Sequence, residues 1–93
     1  MVVIVAEPVL EHRLVIELRQ LGARGFSVVE GRGEGTRGVH AADVPGENVR
    51  IEAIVTPEVA DRIMEYVAQH YFEHYSVIAF VQDVAVARTA KYT

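Results

Sequence analysis

The residue types best suited to chemistry are concentrated between Gly31 and Gly38, in the run Gly-Arg-Gly-Glu-Gly-Thr-Arg-Gly. Glycine is used where φ must be positive or where another group approaches the main chain closely, so this run predicts a loop rather than the interior of a strand. Consecutive backbone N–H groups in such a loop form a concave, partly positive nest that suits phosphate. Arg32 and Arg37 flank the glycines, and a guanidinium fork binds phosphate oxygens two at a time. Thr36 adds a hydroxyl. The same composition also describes a hairpin tip with solvated arginines, and the glycines alone do not separate the two.

Other reactive groups are sparser. Glu52 falls within an apolar stretch, where a carboxylate needs a donor: a ligand, or an arginine across the sheet such as Arg88. His70 and His74 stand four residues apart with Glu73 beside them, a spacing compatible with a divalent metal. No second ligand pair follows at a recognisable spacing, and histidines at a helix C-terminus also ease its dipole. The chain has no cysteine, which removes a thiol nucleophile, a disulfide framework and a thiolate zinc site. No Ser–His–Asp arrangement can be placed, and Asp61 with Glu65 reads as a solvated helix face. The expectation is a binding protein, not an enzyme.

The elements that must position these groups follow from a 93-residue chain that is 51% hydrophobic, enough for one globular domain covering 1–93. The net charge of −4 disfavours a broad nucleic-acid surface. No stretch reaches the ~20 apolar residues of a membrane span, and no basic leader begins the chain, so the expected location is cytoplasmic, without membrane insertion. Val2–Ala6 is a β-branched run typical of a buried strand. Residues 9–21 carry leucines at 10, 14, 18 and 21, a helical stripe closed by Gly22. Residues 26–30 form a second strand and residues 49–55 a third. The connection between them is long, about 38–48 beyond the glycine run, and connections of that length in small domains are functional or mobile. Thr56 and Pro57 start a second helix as N-cap and first residue, with Val59, Ile63, Val67 and Tyr71 on its buried stripe. A last strand starts at Ser76 and runs to about Ala87.

The order βαββαβ predicts an α+β ferredoxin-like sandwich: a four-stranded antiparallel sheet with two helices on one face. The strands carry apolar residues on both parities, so the face without helices requires a partner, most simply other copies of the chain in a closed homo-oligomer.

The chain resembles the PII signalling superfamily, and more closely the SbtB-type, carboxysome-associated PII-like proteins (CPII). The resemblance runs over nearly the whole chain. Its residues are Val3 to Glu7, Gly22 to Val28, Gly33 to Val39, Ile51-Glu52 and Tyr71 to Tyr75. It implies a trimer whose subunits meet through their sheets, with an adenyl nucleotide in each intersubunit cleft as an effector and no permanently bound cofactor. AMP, cyclic AMP, ADP, ATP and cyclic di-AMP are the ligands implied. The long connection would be the T-loop, which contacts a target; for SbtB-type proteins this is a bicarbonate transporter. Carried over by position, Gly33, Glu34, Gly35, Thr36 and Arg37 would hold the phosphates and Ser27, Glu52 and Ile54 would line the adenine end, with His40 and Arg88 also counted among the nucleotide-binding residues. Glu52 would accept from the exocyclic amine.

This sequence departs from that pattern at the loop base. Glu34 stands where close relatives have lysine, and His40 replaces a second arginine. Both changes remove positive charge at neutral pH, which favours a ligand with one phosphate or a His40 whose charge follows pH. No glycine-rich second phosphate loop follows the third strand, and no tyrosine precedes Tyr66 to serve as a uridylylation site. The alternative on the same fold is a trimeric divalent-metal protein of the CutA kind.

Overall fold

The computed structural model of the protein describes residues 1–33 and 46–87. Within them the chain forms β1 (Val2–Ala6), a 3-10 turn (Pro8–Leu10), α1 (Glu11–Leu21), β2 (Ser27–Gly33), β3 (Gly46–Ala53), α2 (Pro57–His70) and β4 (Val77–Val81). The four strands make one sheet in the order β2-β3-β1-β4, and every neighbouring pair is antiparallel. This is the ferredoxin-like arrangement.

Local chemistry explains where each helix stops and starts. Glu7 is extended and Pro8 fixes the first turn, whose Leu10 N–H donates to the Glu7 carbonyl at 3.0 Å. At the far end of α1, Gly22 takes φ +114°, in the left-handed region that glycine enters at low cost. Its N–H donates to the Arg19 carbonyl and that of Ala23 to the Leu18 carbonyl, the paired bonds of a Schellman close. A side chain at Gly22 would also crowd α2: a Cβ there would lie 3.2 Å from Val59 Cγ2. In α2 the Thr56 hydroxyl accepts from the Val59 N–H at 3.4 Å, and Pro57 opens the helix as the sequence predicts.

The core lies between the helices and one face of the sheet. Val2, Ile4 and Ala6 of β1 and Val49, Ile51 and Ala53 of β3 pack with Leu14 and Leu18 of α1 and Ala60, Ile63 and Val67 of α2. On the expected stripe of α2, Ile63, Val67 and Tyr71 are buried, Val59 is partly covered and packs against the core, and Ala60 beside it is buried as well. Tyr71, just past the helix, is completely buried; its hydroxyl and that of Tyr66 donate to the two oxygens of Glu17 on α1. Arg13 sits one turn before Glu17, with Nε 3.6 Å from the carboxylate and Cζ 4.6 Å from the centre of the Tyr71 ring. Helix α1 is thus tied to the end of α2 by a carboxylate shared between two phenols.

The strand boundaries differ from expectation. β2 does not end at residue 30 but includes Gly31, Arg32 and Gly33, and β3 begins at Gly46 rather than near residue 49. Nor do Gly31 and Gly33 take positive φ; among the described residues only Gly22 and Gly46 do. Gly31 serves the other use of glycine, close approach. It pairs with Asn48, and a Cβ there would fall 2.8 Å from Asn48 Oδ1. β4 is shorter than expected, ending at Val81, where Met1 and Gln82 exchange hydrogen bonds of 2.7 and 2.8 Å.

Because β1 pairs with β3 only from Val49 to Ala53, the pairs Gly31–Asn48, Arg32–Glu47 and Gly33–Gly46 extend beyond the rest of the sheet as a two-stranded ribbon.

Candidate functional site

Two places collect the predicted site residues, and both are built by the β2–β3 pair. The first is the base of the connection. Gly33 and Gly46 face each other as the last pair of the ladder, and Gly46, at φ +76°, turns the chain into β3. Beside them a cavity of about 340 Å³ is lined by Pro8, Glu11, Glu30, Gly31, Arg32, Glu47, Asn48 and Val49. Arg32 is the cation of this wall and three glutamates are its anions, so the wall is mixed in charge rather than a bare cationic phosphate cradle. Asn48 is buried although polar, with its amide laid against the backbone space that Gly31 leaves open. Sequence reasoning missed Asn48 by treating it as the end of a loop. The signal was a glycine in register with it, visible only once the strands are paired.

The second place is the face of the sheet that carries no helix. The pairing aligns Ser27, Glu52, Val3 and Phe80 in one row across the four strands, and Val29, Arg50, Val5 and Ile78 in the next. Ser27 and Glu52, both predicted to line an adenine, are therefore direct cross-strand partners. Ile54 follows β3 immediately and is half-buried. Among the described residues Glu52 does not pair with an arginine across the sheet, and Arg88, named in the alternative, lies outside them. The partner of Glu52 is Arg50, two residues earlier on the same strand and the same face, with Nε donating to Glu52 Oε2 at 2.7 Å. Arg50 also lies 5.6 Å from the centre of the Phe80 ring, reaching across β1 towards β4. Alternation along β3 could have found this pair, since residues 50 and 52 share a parity.

Of the other predicted site residues, Gly33 is placed at the ladder's end, whereas Glu34, Gly35, Thr36, Arg37, His40 and Arg88 lie outside the described residues. The histidine pair is not brought together as one helix face: α2 ends at His70, and His74 lies four residues beyond in a turn. His70 Nδ1 is 2.9 Å from the Tyr66 carbonyl and its ring stacks on Tyr66 at 4.0 Å, while His74 Nε2 is 3.9 Å from Glu73. Among the described residues no group of three or more His, Cys, Asp or Glu side chains is arranged to hold a metal ion.

The tyrosines serve the interior and the helix junction. Burial and the hydrogen bond to Glu17 push the Tyr71 phenol well above its ordinary value, and the bond to Glu17 raises Tyr66. Arg13, over Tyr71, is shifted upward by the same phenol.

A small ferredoxin-like chain with one partly apolar sheet face, a carboxylate and a serine meeting on it, and a glycine-closed ribbon whose two strands are joined by residues 34–45 has the build of a ligand-sensing regulatory subunit. The family model of the nitrogen regulatory protein P-II matches residues 1–91, and the chain belongs to that family. A PII-like signalling protein from Thermus thermophilus is 47% identical, with a TM-score of 0.84, over 99% of this chain and 91% of that one. CPII from Thiomonas intermedia, in a structure bound to ADP, AMP and acetate, is 25% identical with a TM-score of 0.77, over 98% of this chain and 90% of its own. A second structure of CPII from that organism, bound to ADP and bicarbonate, has 21% identity and a TM-score of 0.78, over 99% and 91%. Proteins of this family act in signalling, are generally not enzymes and are typically trimers. Among the described residues, no helix is long and apolar enough to cross a membrane.

Proposed function

We propose that this chain is the subunit of a homotrimeric sensor that binds an adenyl nucleotide in clefts between subunits. It signals occupancy through the β2–β3 connection, about 38–48. The observation that carries the reading is the meeting of Ser27 and Glu52 as register partners on the uncovered sheet face, on the same two strands that run on into the ribbon at the base of the connection. A carboxylate and a hydroxyl side by side offer an acceptor for the exocyclic amine of adenine and a second polar contact for the ring. The chemistry of these groups fits the base. CPII, similar to this chain along its whole length, is known bound to ADP and AMP, which supports an adenyl ligand here.

The phosphates are assigned to Gly33, Glu34, Gly35, Thr36 and Arg37, with His40 and Arg88 beside them. Glu34 and His40 reduce the positive charge available at neutral pH, which favours AMP or cyclic AMP over ATP. The target reached by the connection is read as a bicarbonate transporter or another component of inorganic-carbon handling, peripheral to a membrane through that partner.

Calorimetric titration with AMP, cyclic AMP, ADP, ATP and cyclic di-AMP tests this. At least one should bind, and Arg37→Ala should weaken it by about 1.5–3 kcal/mol, the worth of a hydrogen bond to a charged group. Absence of binding by all five ligands would overturn the reading.

A further inference from the structure

We propose that Arg50 is a positioning residue for base selection: its ion pair with Glu52 fixes the carboxylate so that the site accepts 6-aminopurine nucleotides and rejects 6-oxopurine ones. The inference rests on the nucleotide reading above and adds to it the residue that sets the base.

Arg50 Nε donates to Glu52 Oε2 at 2.7 Å, so one carboxylate oxygen is held along the strand. Among the described residues, Oε1 accepts from no protein donor and is the oxygen left to meet a ligand. The guanidinium also lies 5.6 Å from the centre of the Phe80 ring, which stands in the same cross-strand row as Glu52 with Val3 between them. Arg50 thus contacts both an aromatic ring and the carboxylate it orients. An ion pair as open as this one, with side chains 42% and 31% exposed, adds little to the stability of a fold. Its placement has a clearer consequence for binding. Glu52 is the register partner of Ser27, and the row continues into Val3 and Phe80, so the pair marks the polar end of an otherwise apolar strip.

A 6-amino group donates to a carboxylate oxygen. A 6-oxo group in the same place sets two acceptors against each other with no proton between them, and a site built around one hydrogen-bond polarity rejects the opposite one. That rejection requires the carboxylate to stay where it is. Without Arg50, Glu52 is free to rotate towards solvent, and the discrimination falls.

The experiment is titration of the full chain with AMP and ADP against IMP and IDP, for the wild type, Arg50→Gln, Arg50→Lys, Glu52→Gln and the double variant Arg50→Gln/Glu52→Gln. Trimer mass and thermal unfolding are followed for each. The wild type should prefer the amino nucleotide by about tenfold or more, the effect of one charge-assisted hydrogen bond. Arg50→Gln should lose most of that ratio, Arg50→Lys should restore part of it, and Glu52→Gln should abolish it. In the Glu52→Gln background, removal of Arg50 should change the ratio no further, because the arginine acts through the carboxylate. An unchanged ratio in Arg50→Gln, or equal weakening of both purines, would overturn the assignment and leave Arg50 a structural residue. Failure of the wild type to bind any of the four would instead remove the nucleotide reading, and this inference with it.

Discussion

Replacing Tyr71 by phenylalanine tests how the two helices are locked together. The ring remains in a site where it is completely buried, so no cavity opens and the substitution deletes only the hydroxyl that donates to Glu17 Oε1. Two contributions are lost. A hydrogen bond to an ionised group is worth about 1.5–3 kcal/mol, and the Glu17 oxygen left behind loses its donor. The Glu17 side chain is 15% exposed, so water can replace part of the missing bond, which places the expected loss near ~2 kcal/mol. For a domain of this size that is a fall of roughly 8–16 °C in Tm, read by calorimetry at one fixed protein concentration because assembly makes Tm concentration-dependent. Tyr66→Phe removes the partner bond on Oε2, which Arg13 also approaches, and should cost less, about 1 kcal/mol. The two losses should not add, since both phenols serve one carboxylate. A Tyr71→Phe protein within about 0.5 kcal/mol of wild type would refute the shared-carboxylate account and leave Tyr71 a packing residue only.

Three further outcomes follow from the same structure. Tyr71 and Tyr66 are both raised in the folded state, so their contribution is complete below the ordinary tyrosine value of about 10 and is lost as pH rises from there through the folded values. Denaturation midpoints should drop above about pH 10 in the wild type, and less so in Tyr71→Phe. Gly22→Ala forces φ +114° on a residue with a Cβ and crowds Val59, and should destabilise by about 1–2 kcal/mol in urea unfolding; a neutral effect would mean that the close can relax. Val29→Asp, on the uncovered face and already 48% exposed in the single chain, should leave the fold intact but shift sedimentation from trimer towards monomer. A trimer unaffected by it would place the subunit contact elsewhere.

The fold was legible because its punctuation is local. Thr56-Pro57 and Gly22 announce their helix ends through chemistry that depends on a few neighbouring residues, and both appear where expected. The β-branched run Val2–Ala6 could hardly be anything but a central strand. The glycine run misleads at its start for a non-local reason: Gly31 is required by the side chain of Asn48, a neighbour across the ladder that no window of sequence contains. The same limit applies to the candidate site. Ser27 and Glu52 could be named separately, but their register depends on how strands align, whereas the pair of Arg50 and Glu52 lies on one strand at one parity and was within reach of the alternation along β3. The tie between Glu17 and two tyrosines, 49 and 54 positions later, left no periodic trace at all.

The ribbon of Gly31–Gly33 against Gly46–Asn48 has a mechanical consequence. Three residue pairs standing past the sheet extend it by about 10 Å, at roughly 3.3 Å per residue. They are held by backbone bonds, and among the described residues no third strand pairs with them; a two-stranded piece of this kind is marginal on its own. It can therefore open and re-zip while the body stays folded, and its amides should exchange with solvent orders of magnitude faster than those of Ile51 or Ile4. A lever that is rigid where it joins the sheet at Glu30 and Val49 and soft towards Gly33 and Gly46 can close by a variable number of rungs.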